Sequence, residues 1–158
     1  METHILHEFG NRVRVRVCGL CWQQDSLLMI NHAGLGPANF WAPPGGGVEL
    51  GQSAPDALCR EMLEETGLEV SVQALQFTCE YIHPPLHAIE LFFTVHTTGG
   101  SLRHGFDPEL DYRNQIIKGV RFLTWAEIHE LNLAEKHGIF RFCRQAQDLR
   151  KLSGFYRI

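Results

Sequence analysis

Long apolar runs are missing from this chain: none approaches the roughly 20 residues that a bilayer-spanning helix needs, so no membrane-embedded segment is expected. An excess of positive charge is missing as well. Lys and Arg number 14 against 18 Asp and Glu, a formal charge of −4. That balance leaves little with which to displace counterions from a nucleic-acid backbone. Nucleic acid is therefore not an expected partner, and a small anionic ligand would need a metal ion to be held. A disulfide framework is lacking too, because the five cysteines, at 18, 21, 59, 79 and 143, are an odd and scattered set. Reduced thiols are the simpler expectation. Cys18 and Cys21 form a C-x-x-C, but on a strand such residues point to opposite faces, and no second pair completes a zinc set. The opening residues mix acids with histidines and do not follow the basic-then-apolar order of a secretion signal; a cytoplasmic location is the expectation.

What is present reads as one globular unit over residues 1–158, without internal repeats or a dividing linker. Arg12, Arg14 and Arg16 alternate with Val13, Val15 and Val17, a period of two that predicts a strand over 11–22. The arginines are expected on its solvated outer face, the alternative being a cationic strip toward an anionic ligand. A turn at Gln23–Ser26 leads to a second strand at Leu27–Ile30 and so to a hairpin. A loop follows over 31–39. Strands are expected at Val70–Ile82 and Ile89–Thr97 around a loop at His83–Leu86, and again at Ile116–Leu123. Residues 99–113 read as a long loop. Trp125–Leu131 and Gly138–Leu152 fit helices. Strands, one helix, more strands and terminal helices imply an α+β fold with helices covering a mixed sheet.

The chemistry concentrates between Trp41 and Leu68. Two prolines and three glycines in Pro43-Pro44-Gly45-Gly46-Gly47 disfavour helix and suit a closely approached backbone. Ser53–Thr66 then reads as a helix with both ends punctuated: Ser53 and Asp56 form a capping pair, Pro55 falls in the first turn, and Gly67 follows the last. At about 100° per residue, Glu61, Glu64 and Glu65 share an arc of about 100°. Their mutual repulsion calls for cations, and hard oxygen ligands suit Mg2+ or Mn2+, with phosphates and water completing the shell. Arg60, one turn before Glu64, can orient a carboxylate. The bland alternative is a solvated acidic face; it loses ground once the glycine run, Arg60 and Gly67 are all required at fixed offsets.

These residues resemble the Nudix box, G-x5-E-x7-R-E-U-x-E-E-x-G-U with U a bulky aliphatic, over 23 of the 158 residues. Gly46, Arg60, Glu61, Met62, Glu64, Glu65, Gly67 and Leu68 match; Gln52 stands where the family has Glu. The resemblance implies a Nudix α/β/α sandwich and metal-dependent hydrolysis of a pyrophosphate linkage in a nucleoside diphosphate derivative, of ADP-ribose or sugar-nucleotide type. It implies Glu61, Glu64 and Glu65 as metal ligands, the Gly45 carbonyl as a further contact, Arg60 as the residue orienting a glutamate, and a homodimer as a form common in the family. Gln52 predicts altered metal affinity. An additional carboxylate from outside the box has Glu80, Asp107, Glu109 and Asp111 as candidates, and the general base stays open, with Glu61 or Glu65 itself eligible. Trp41, Phe40 and Tyr81 are candidates to stack on a base, although core packing is the expectation for at least two of them. His83 and His87 are expected beside the site. Two rival activities remain at this stage: a nucleoside triphosphate pyrophosphatase of the sanitising type, and a nucleotide-sensing module without turnover, for which Gln52 is the one favourable feature.

Overall fold

The computed structural model describes residues 9–33, 39–105 and 116–158. Its strands are β1 (Arg12–Gln23), β2 (Ser26–His32), β3 (Phe40–Ala42), β4 (Gly45–Gly47), β5 (Leu68–His83), β6 (Leu86–Gly100), β7 (Ile117–Thr124) and β8 (Gly154–Arg157). Its α-helices are α1 (Ala54–Thr66), α2 (Trp125–Glu130) and α3 (Ala146–Lys151). The strands form a mixed sheet in the order β3-β2-β1-β6-β5-β8, with β4 added to β1 and β7 to β2. β1 runs parallel to β6 and β5 parallel to β8, and the remaining pairs are antiparallel.

Alternation along β1 sorts its residues into two cores. Val17 and Cys21 pack with Leu58 and Met62 of α1, whereas Cys18 and Leu20 pack with Ile128 of α2, Ile139 and Leu149. Helices thus cover both faces of the sheet, which is the expected α/β/α sandwich. Cys18 and Cys21 do point to opposite faces, and both are buried. Gly19 faces α1, where an added Cβ would lie 3.1 Å from Met62 Sδ. The missing side chain lets the helix pack close.

The turn after Gln23 and the pairing of Gln23 with Ser26 give the predicted hairpin. Several expectations are corrected. Gly138–Leu152 is not one helix: a 3-10 turn at Gly138–Phe142 precedes α3, and Asp148 Oδ2 accepts the backbone NH of Arg144 (2.8 Å) and Gln145 (3.1 Å), starting a new helix there. β8, beyond it, was not expected; it extends the sheet by pairing with Phe77–Glu80. β6 runs on to Gly100, so the segment after it begins later than expected.

A further correction bears on function. Arg14 and Arg16 line a cavity rather than forming a solvated outer face, while Val13 and Val15 are 61% and 45% exposed. The valines continue the face of Val17 beyond the ground that α1 covers; Arg12 is exposed as expected, while Arg14 and Arg16 are half-buried on the cavity side of β1.

Candidate active site

α1 presents the acids because its ends are fixed locally. Ser53 Oγ accepts the Asp56 amide at 3.2 Å, Pro55 sits in the first turn, and Gly67 takes the left-handed conformation (φ 74°) while its NH reaches the Leu63 carbonyl at 2.9 Å. With Leu58 and Met62 turned into the core, Glu61 and Glu65 fall on the same buried side, at 6% and 5% exposure. Burying two carboxylates is costly unless each is hydrogen-bonded or paired. Glu65 Oε2 accepts the Gly45 NH at 2.8 Å, and Glu61 Oε1 meets Arg60 Nη1 at 3.0 Å.

The glycine run makes that approach possible. β4 lies against β1 with Gly45 opposite Cys18 and Gly47 opposite Arg16; a Cβ on Gly45 would overlap the Val17 carbonyl, and one on Gly46 would run into the Glu61 carboxylate. Arg60 ties loop to helix, reaching Glu64 Oε2 at 3.0 Å, the Gly47 carbonyl at 3.1 Å and Gln52 Oε1 at 3.4 Å. Burial works against its charge, but Glu61 and Glu64 outweigh this and raise its pKa.

Glu61, Glu65, Gly45 and Gly46 border a cavity of about 340 Å³. Its other walls include Arg14 and Arg16 of β1, Phe40, Tyr81, His87, Glu90 of β6, and Lys136 and His137. Glu64 does not line it and stays in the Arg60 fork. Among the described residues no three His, Cys, Asp or Glu side chains form a ready metal cluster. The donor set is all oxygen and suits a hard cation, and the glycine at 46 is what lets the Glu61 carboxylate lie against β4, since a Cβ there would overlap it. The residues fit a hard divalent cation.

Of the other candidates, Gln52 sits on the flank with Arg60. Glu80 is paired with His87 at 3.2 Å. Trp41 packs on the core beneath Arg121, whose guanidinium lies 5.6 Å from its ring, while Phe40 and Tyr81 reach the cavity. His83 stacks on Tyr81 at 6.3 Å between ring centroids. Asp107, Glu109 and Asp111 lie outside the described residues.

Three cavity residues have no place in the sequence motif. His32, 7% exposed, has its Nε2 4.0 Å from Glu65 Oε1. His137 accepts the Ile139 NH on Nδ1 at 3.2 Å, leaving Nε2 to donate to Glu90 Oε2 at 2.8 Å. Glu90 is 5% exposed; burial pushes its carboxyl up, but His137, then Arg16 and Arg14, outweigh that and bring it down to about 2. Its signal in the sequence is a lone acid inside Ala88-Ile89-Glu90-Leu91-Phe92-Phe93. Cys18 also touches the cavity, but burial and then Glu90 push its thiol well up, so it is no nucleophile.

The family model described as NUDIX domain matches residues 10–142. The chain is 33% identical over 97 residues to an ADP-ribose pyrophosphatase of Methanocaldococcus jannaschii, covering 60% of this chain and 57% of that protein. It is 37% identical over 65 residues to an RNA pyrophosphohydrolase of Rhizobium meliloti, covering 41% of this chain and 38% of the other. The matches thus span about half the length of these relatives. A NUDIX hydrolase structure from Nitrosomonas europaea superposes with a TM-score of 0.70 at 22% identity, covering 90% of this chain and 93% of that one, a likeness of fold.

Proposed function

The chain belongs to the Nudix family, and from that premise we propose that it is a hydrolase that uses Mg2+ or Mn2+ to split the pyrophosphate linkage of a nucleoside diphosphate derivative, of ADP-ribose or sugar-nucleotide type. The observation that carries the reading is one cavity of about 340 Å³ holding two buried carboxylates, Glu61 and Glu65, together with two guanidinium groups, Arg14 and Arg16. A cation held by acids, facing a polyanion held by arginines, accounts for both signs of charge in so small a space.

Glu61 and Glu65 on the cavity wall, with the Gly45 carbonyl, would hold the cation, and Glu64 would join them only by turning out of the Arg60 fork; when bound, the cation would neutralise the diphosphate and make water a better nucleophile. The Gly45 NH and Arg60 orient the carboxylates before substrate arrives, so less ordering is left to the reaction itself. Arg14 and Arg16 supply donors to phosphoryl oxygens. Phe40 and Tyr81 offer flat apolar surface for a base. Glu61 or Glu65 takes the proton from the attacking water, both being carboxylates on the cavity wall. No covalent bond to the protein is called for.

The test is a panel of ADP-ribose, sugar nucleotides and nucleoside triphosphates incubated with Mg2+ or Mn2+, followed by product analysis. Cleavage of ADP-ribose or a sugar nucleotide to two monophosphates supports the reading. Release of inorganic pyrophosphate from triphosphates alone favours the sanitising activity, and tight binding without turnover favours a sensor.

A further inference from the structure

We infer that Arg16 and Glu90 form an open ion pair that clamps the sugar-phosphate half of the substrate, the guanidinium taking a phosphoryl oxygen and the carboxylate taking a sugar hydroxyl. This deepens the reading above and rests on it for the identity of the substrate.

The geometry of the pair is the starting point. Arg16 stands opposite Glu90 where β1 runs parallel to β6, yet Nε and Oε1 are 3.8 Å apart, which is charge contact and not a hydrogen bond. Arg16 Nε is buried and has no hydrogen-bond partner among the described residues. The guanidinium spends one Nη2 donor on the Gly45 carbonyl at a long 3.4 Å, although it carries five. Glu90 Oε2 is taken by His137 at 2.8 Å, and Oε1 faces the arginine. An unmet buried donor such as Arg16 Nε is expensive, so that donor and a carboxylate oxygen held just out of its reach on a cavity wall suit a ligand that carries an acceptor and a donor side by side.

A phosphorylated sugar has that pattern, with phosphoryl oxygens that only accept and hydroxyls that donate. A chain of phosphates alone lacks the donor and would meet the Glu90 charge unfavourably. The register adds the connection to the acids: Arg16 pairs with Gly47 on one side and Glu90 on the other, so the clamp lies next to the glycine run that seats Glu61. His137 is a positioning residue, since Ile139 NH fixes which ring nitrogen faces Glu90.

The experiment measures binding of ADP-ribose and of ADP by calorimetry in EDTA, so that neither metal nor turnover enters. The wild-type protein is expected to bind ADP-ribose about 10-fold or more tightly than ADP, the effect of one hydrogen bond to a charged group. Glu90→Gln should bring that ratio close to one by weakening ADP-ribose alone, and Arg16→Lys should weaken both ligands together. Thermal melts confirm that each variant is folded; Glu90→Asp, which keeps the charge but shortens its reach, should give an intermediate ratio should Glu90→Gln fail to fold. No preference for ADP-ribose in the wild type, no measurable binding, or a ratio unchanged by both Glu90 variants overturns the clamp. Loss of all hydrolysis in the substrate panel with the binding ratio intact would overturn the catalytic reading and leave the clamp standing.

Discussion

Replacing Glu90 with Gln keeps the shape of the side chain and removes its charge, so the variant imitates the protonated acid. The carboxyl falls from an ordinary 4.5 to about 2 in the folded protein, burial being outweighed by His137, Arg16 and Arg14. At about 1.4 kcal/mol for each tenfold step in the proton equilibrium, that fall is worth about 3 kcal/mol, to order of magnitude. Folding lowers the pKa, so the stabilisation is complete above pH 4.5 and is lost as pH drops from 4.5 towards 2. Urea unfolding of wild type and Glu90→Gln across pH 7 to 2.5 reads it directly. The wild type should lead by about 3 kcal/mol at pH 7, equivalent to roughly 6–12 °C in Tm for a chain of this size. The lead should hold to about pH 5 and shrink below it. A gap that does not change with pH, or a variant more stable at pH 7, would refute the claim that the buried carboxylate is ionised and held by its neighbours.

Gly46→Ala places a methyl in the Glu61 carboxylate; a displacement near 1 Å is expected to cost about 100-fold in kcat/KM, with a melting temperature close to wild type, and kinetics beside a thermal melt check both. Arg60→Lys gives up a fork that touches Glu61, Glu64 and the Gly47 carbonyl, so a fall of about 10-fold or more in activity is expected, read at saturating Mn2+ to separate orientation from metal affinity. Gln52→Glu adds the charge the family carries at that position and is expected to shift the metal concentration giving half-maximal activity; an unchanged metal titration counts against it. Ser53→Ala removes the acceptor for the Asp56 amide and should lower stability by about 1 kcal/mol, measured by urea unfolding.

The parts of the fold that the sequence made legible are those decided locally. α1 announced itself because Ser53, Pro55 and Gly67 mark its ends and Glu61 and Glu65 alternate with Leu58 and Met62 at helical spacing. The hairpin of β1 and β2 was legible for the same reason, its turn being flanked by alternating residues. The orientation of β1 was not. The alternation of Val13 and Arg14 marks a strand, but which of its faces is enclosed depends on how far α1 extends over Val17 and where β4 folds back, both of them tertiary facts. The break between Gly138–Phe142 and α3 turns on Asp148 capping two amides, while the apolar spacing on either side reads as continuous.

The site follows the same division. The helix acids, Arg60 and the glycine run sit within one stretch of chain at fixed offsets, so their convergence could be read from spacing. Arg16 and Glu90 are 74 residues apart and meet only because β1 takes β4 on one edge and β6 on the other, with Arg16 as the common member of both pairings. A one-residue slip of β1 against β6 would send Arg16 and Glu90 to opposite faces; one against β4 would part Arg16 from Gly47. β1 is therefore more than a core strand: its register brings the motif proposed to hold metal and the buried acid of β6 to one wall of one cavity, and substitutions that disturb it should impair binding and catalysis together.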